Sequence, residues 1–271
     1  MKKFIALFLC LWASIAAAQN PGRIVVVDGT VAEIVCLLGL EKSIVGVDVT
    51  STFPESLQRL PKVGHNRNLS AEGILALKPT IVAGATNSIK PELLDQLRAA
   101  GVRTLFFKQD FSPEGTRQLI REVAGAFGKA DQAAPLIAKL DADLKAIKKA
   151  PTPKKVLFIY ARGVGTMMVG GKNTSVAKVI ELAGGRNAVQ DFDEFKPLTP
   201  ESLLAANPDV LLFFTSGLES LGGMDGLLKI PGIAQTNAGK NRKVIEMDGH
   251  LLSGFSPRLG LAAQELAAKI R

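Results

Sequence analysis

Short runs of β-branched and apolar residues alternate along most of this chain with segments whose apolar positions recur every three or four residues. Arg23-Ile24-Val25-Val26-Val27 has the makeup of a strand. Thr30, with Glu33 three residues on and then Ile34, Val35, Leu37 and Leu38 before Gly39, reads as a capping box, an apolar helical face and a glycine stop. Ser43 to Val47 predicts a second strand. Ser70 caps a short helix to Leu77, Pro79 ends it, and Ile81-Val82-Ala83 begins the next strand. Pro91 opens a helix that stops at Gly101, ahead of a strand from Val102 to Phe107. Alternation of this kind predicts an α/β sheet with helices on its faces.

The middle of the chain differs. From Ser112 to Ala150 an apolar stripe (Leu119, Ile120, Val123 and Phe127, then Leu136, Leu140, Leu144 and Ile147) is broken only around Gly128 and Pro135. The pattern predicts a helix, a break, and a long helix ending at Lys148-Lys149. Pro151-Thr152-Pro153 is a rigid joint, after which Val156-Leu157-Phe158-Ile159 restarts the alternation. The segment Ala71 to Val82 lines up with Pro200 to Leu211: each sets a glutamate (Glu72, Glu201) in the first turn of a short helix, then a proline, then a strand. The expected architecture is two Rossmann-like α/β lobes, residues 19–110 and 154–271, joined through a helical linker at 111–153 by a single long helix, with a ligand cleft between the lobes.

Composition narrows the class. The chain has 271 residues, a formal charge of +8 and 47% hydrophobic residues, which suits a globular protein with a sizeable core. Two cysteines exclude a disulfide framework and any cysteine-rich metal site. Lys2-Lys3, the apolar run Phe4 to Ile15 and Ala16-Ala17-Ala18 form a secretory signal peptide, residues 1–18, cleaved after about Ala18. Cys10 lies inside the apolar run, so lipoprotein processing is not expected. The exported chain keeps one cysteine, Cys36, which reads as a small buried hydrophobe, and one tyrosine, Tyr160.

Familiar catalytic motifs are missing. Gly163-Val164-Gly165 starts a dinucleotide fingerprint without its third glycine, and Gly165 to Gly170 has P-loop spacing with Gly171 where lysine belongs. Two histidines, His65 and His250, exclude a multi-histidine metal site. Basic residues are scattered and aromatics few, which argues against nucleic acid.

The signal peptide, the paired Glu-helix-Pro-strand segments and the linking helix resemble the helical-backbone class of periplasmic substrate-binding proteins, which deliver siderophores, cobalamin or heme to ABC importers. Within it, the resemblance is to the periplasmic heme-binding group. It is carried by Leu60 to Gly73, above all Val63-Gly64-His65-Asn66-Arg67, by Met168-Val169-Gly170-Gly171 through Gly184-Gly185-Arg186-Asn187, and by Gly254-Phe255-Ser256-Pro257-Arg258. The resemblance implies a monomeric periplasmic carrier that takes heme as its transported ligand, hands it to an ABC permease in the inner membrane, and does no chemistry on it. A ferric-siderophore or cobalamin carrier of the same class is the alternative, and a secreted α/β enzyme a more distant one.

The resemblance also assigns residues. The group's usual iron ligand after Val-Gly is a tyrosine, and this chain has His65 there, itself a competent heme-iron ligand. Arg67 is expected at a propionate. Arg162 could pair with a propionate, since guanidinium matches carboxylate in a fork. Met168 and Phe255 are expected to pack on the ring, and Arg258 to meet a propionate. Tyr160 is a second candidate phenolate, but its apolar strand favours a packing role. His250 is a candidate contact from the second lobe. Glu72 and Glu201 stabilise their helix N-termini and, by the resemblance, dock the lobes on basic pockets of the permease.

Overall fold

A computed structural model describes residues 22–65, 68–86 and 89–271. The signal segment 1–18 and Arg67 lie outside the described residues. Ile24–Val26 is fully buried and pairs in parallel with Ile44–Val47 on one side and Ile81–Ala85 on the other, and Arg103–Phe107 completes a four-stranded parallel sheet. The second sheet has six strands. Its parallel part is Lys155–Ala161, Val210–Phe214 and Val244–Met247. Met167–Gly170 and Phe195–Pro197 extend it antiparallel, and Arg186–Asn187 pairs with the start of Lys155–Ala161. The chain is therefore of mixed α/β class, with two separate main sheets and, among the described residues, one short two-stranded pair, Gly64–His65 with Asn68–Leu69.

The internal repeat persists in three dimensions. Ser70 accepts from the Gly73 N–H to start Ala71–Leu75, and Thr199 accepts from the Ser202 N–H to start Pro200–Ala206. Each helix leads into a buried strand, Ile81–Ala85 or Val210–Phe214.

Between the sheets, Ser112 caps Pro113–Ala126, a turn containing Gly128 (φ 68°) follows, and a second helix runs Ala133–Lys145. This is the expected order of a helix, a break and a second helix, except that the second ends at Lys145 rather than at Lys148-Lys149. Positive φ at Gly128 reverses the chain, and Arg117 meets Asp141 at 2.7 Å across the antiparallel pair. The first helix packs on Gly29–Val35 and Arg103–Phe107, and the second on the last helix, Leu259–Ile270. Gly260 permits that approach, since a Cβ there would sit 2.5 Å from the Asp143 Cβ. One buried cluster runs without interruption from Ile24 and Val26 through Ile120 and Leu140 to Phe158 and Leu212, so both halves share a core.

The helix after the first strand is not capped as its sequence suggested. Asp28 is the N-cap and accepts from the Val31 N–H at 2.9 Å. Thr30 and Glu33 are both buried, and they turn toward the other half of the molecule. Cys36 is half-buried, and burial, with Glu41 and Glu33 adding to it, pushes its thiol up to about 12, where it is a poor nucleophile.

Candidate functional site

In open α/β sheets the loops leaving the carboxyl ends of the strands form the binding crevice. Here both sheets contribute such loops to one cleft of about 720 Å³, within the usual range for small-molecule sites. The first half supplies Asp28–Thr30, Val49, Thr50, Thr52, Gln109 and Phe111. The second supplies Tyr160, Arg162, Phe214–Ser216, Glu219 and the turn around His250.

His65 stands on the first wall, in a hairpin that pairs Gly64–His65 with Asn68–Leu69. Tyr160 stands on the second wall. Its strand is apolar, but Tyr160 lies near the carboxyl end, where the cover of helices gives way to the cleft. Arg162 Nε donates to the Tyr160 hydroxyl oxygen at 2.8 Å, and the guanidinium lies 5.7 Å from the ring centre. The cleft therefore collects the imidazoles of His65 and His250, a phenol and a guanidinium, with the carboxyls of Asp28, Glu219 and Asp248 and several threonine and serine hydroxyls around them.

Other expected residues fall elsewhere. Phe255 is 1% exposed and packs in the core at 5.5 Å from Phe111. It is Phe111, not Phe255, that lines the cleft. Arg258 is committed to Glu33: Nε donates to Oε1 at 3.0 Å and Nη2 to Oε2 at 2.9 Å, while the Phe53 ring covers the guanidinium at 3.5 Å. A propionate would have to displace a bidentate buried carboxylate, so Arg258 is a structural residue. Met168 sits beside the cleft, opposite Tyr160 in the strand register. Glu72 and Glu201 are exposed in the first turns of their helices.

Glu33 was missed as a functional residue by pattern reading. It is fully buried and joins the two halves. Ser256 Oγ also donates to it at 3.1 Å, and His250 Nε2 lies 3.2 Å away. Burial alone would push this carboxyl up. The His250 and Arg258 hydrogen bonds outweigh that and hold it below the ordinary carboxylate value. Alongside, Thr30 Oγ1 and Gln109 Nε2 both donate to the Gly254 carbonyl, at 2.6 and 2.7 Å. The His250 ring is wedged between Gly29 and Gly254, where a Cβ would come within 2.9 and 3.0 Å of it. Nearby, burial pushes the Asp28 carboxyl up. The available signal was a lone glutamate in the otherwise apolar stretch Val31 to Val35: a buried charge demands a partner.

Two α/β halves that share a core and enclose one interlobe cleft define a ligand-capturing protein of the two-lobe type. The chain belongs to the periplasmic binding protein family, which matches it over residues 24–251. Among solved structures it is similar to the periplasmic heme-binding protein RhuT from Roseiflexus sp. RS-1 in its apo form, at 44% identity and TM-score 0.88, covering 92% of this chain and 97% of that one. It is also similar to the periplasmic heme-binding protein BhuT in complex with two hemes, at 38% identity and TM-score 0.87, with the same coverage. The substrate-binding lipoprotein YvrC of a Bacillus subtilis ABC transporter is 30% identical, over 93% of this chain and 81% of that protein. The vitamin B12-binding protein of Yersinia pestis is 24% identical, over 93% of this chain and 88% of its own length.

Proposed function

We propose that this protein is the substrate-binding component of an ABC importer, and that it captures heme in the interlobe cleft for delivery to a permease after export. The observation that carries the reading is the pairing, in one cleft, of His65 from the first wall with the Tyr160–Arg162 pair from the second. Imidazole and phenolate oxygen are both heme-iron ligands. A guanidinium on the phenol oxygen suits an anionic ligand, and it leaves lone-pair capacity for a metal. Tyr160 thus joins His65 as an iron ligand, a role its apolar strand did not suggest. The remaining guanidinium donors of Arg162 meet the propionates, and the hydroxyls of the lining complete their hydrogen bonds.

The similarity to RhuT and BhuT supports heme over other flat iron chelates. Catalysis has no part in this reading: the cleft residues bind, orient and release. Glu72 and Glu201, exposed on matching helices, dock the two halves on the permease. Titrating the purified protein with hemin and, separately, with cyanocobalamin tests the ligand. Saturable binding of hemin with a distinct Soret band is expected. Binding of cyanocobalamin alone would move the protein to the other branch of its relatives.

A further inference from the structure

A second cavity, of about 360 Å³, opens off the cleft. It shares Tyr160, Ser175, Phe214 and Ser253 with the main cavity, so the two adjoin across these side chains, and it adds Met168, Val176 and Phe195. The sheet register explains its shape. Tyr160 pairs with Met168, Met168 pairs with Pro197, and Gly170 pairs with Phe195, so Met168 and Gly170 fall on one face of their strand, between Lys155–Ala161 and Phe195–Pro197. Gly170 lies buried on that face against Phe158 and Phe195, where an added Cβ would meet Thr174 Oγ1 at 3.3 Å and the two rings at ordinary contact distance.

The aromatic rings form one chain. Phe195 meets Phe158 at 6.3 Å, Phe158 meets Phe214 at 4.8 Å, and Phe214 meets Tyr160 edge-on at 6.2 Å. The last ring is the one in the cleft. Phe195 is 43% exposed, an unusual position for a phenylalanine whose ring touches a core ring. Among the described residues no charged side chain lines this annex, whereas Arg162, Glu219 and Asp248 all line the main cavity.

We infer that this annex is the subsite for the apolar edge of a planar macrocycle whose carboxylate edge stays among the charged and hydroxyl groups of the main cleft. Met168 and Phe195 are the residues that set this specificity. The inference rests on the proposed capture of heme and adds to it which edge of the ring points where. A ring that keeps its carboxylates but has hydrogens in place of its vinyl groups fills the annex less completely. It loses the burial of part of both vinyl groups, the equivalent of about two methylenes, and on that scale binds about tenfold more weakly.

The test is a binding titration with hemin and with iron(III) deuteroporphyrin, which lacks the vinyls, for the unmodified protein and for Met168→Gln and Phe195→Ala. Met168→Gln keeps the side-chain shape and adds polarity, and Phe195→Ala removes a half-exposed ring, so neither empties the core. The unmodified protein should prefer hemin about tenfold, both variants should lose most of that preference, and circular dichroism should show them folded. Equal affinity for both rings, or an undiminished preference in both variants, overturns the annex while leaving heme capture in place. A second equivalent of hemin that alone disappears in Phe195→Ala also overturns it, because the annex then holds a separate molecule. Failure to bind either iron porphyrin overturns the function and the inference together.

Discussion

Glu33 has no exposed surface, and its carboxylate is held by groups from the opposite half of the molecule. Removing one partner of such a pair leaves a buried charge without compensation, which costs about 3–5 kcal/mol. Glu33→Ala should therefore lower the unfolding free energy by that order in a urea titration, far more than loss of an exposed ion pair such as Arg98–Asp95. The pH dependence has a definite sign. A carboxyl held below its unfolded value of 4.5 contributes stability above that pH, and the contribution fades as pH falls through its folded value. Asp28, pushed the opposite way by burial, offsets part of this. Glu33→Gln should therefore flatten the fall in melting temperature between about pH 5 and pH 3, and an acid limb as steep as that of the unmodified protein would argue against the assignment. At this scale the sequence was only half legible. The family resemblance, not the composition of its loop, points to His65, which lines the cleft. The partners of Glu33 lie more than two hundred residues away, at His250, Ser256 and Arg258, and no local pattern announces them. The same resemblance points Phe255 and Arg258 at the ligand, whereas Phe255 is buried in the core and Arg258 pairs with Glu33 across the two halves.

The elements themselves were legible wherever local chemistry decides them. The Ser70 cap and the proline at Pro91 placed the starts of Ala71–Leu75 and Pro91–Ala99. The break at Gly128 was legible in the middle segment, and the helices Pro113–Ala126 and Ala133–Lys145 lie on either side of it. Tyr160 packs edge-on against Phe214, as its apolar strand suggests, and it also lines the cleft, because a residue near the carboxyl end of a central parallel strand reaches the crevice. The two short helices of the repeat carry a prediction of their own. Changing Glu72 and Glu201 together to Lys should leave hemin affinity unchanged, because neither lines the cleft. It should abolish uptake in cells that depend on this carrier, since like charges then face each other at the permease. Normal heme-dependent growth of the double variant would reject the docking role.

On the scale of the whole molecule, the continuous core and the Glu33–Arg258 lock restrict the angle between the halves. A wide hinge closure would have to break both. Small-angle X-ray scattering should therefore give closely similar radii of gyration with and without ligand. A contraction of the kind seen when hinged domains close on a ligand would contradict this. The cleft is then preformed, and affinity depends on the groups already facing it. That makes the iron ligands the centre of the account. The most direct measurement is the absorption spectrum of hemin bound to the unmodified protein, His65→Ala, Tyr160→Phe and the double variant. Each single change should shift the Soret band and weaken binding, the two shifts should differ in character, and the double variant should lose specific binding. A double variant that binds hemin with the spectrum of the unmodified protein would show that the iron is held elsewhere.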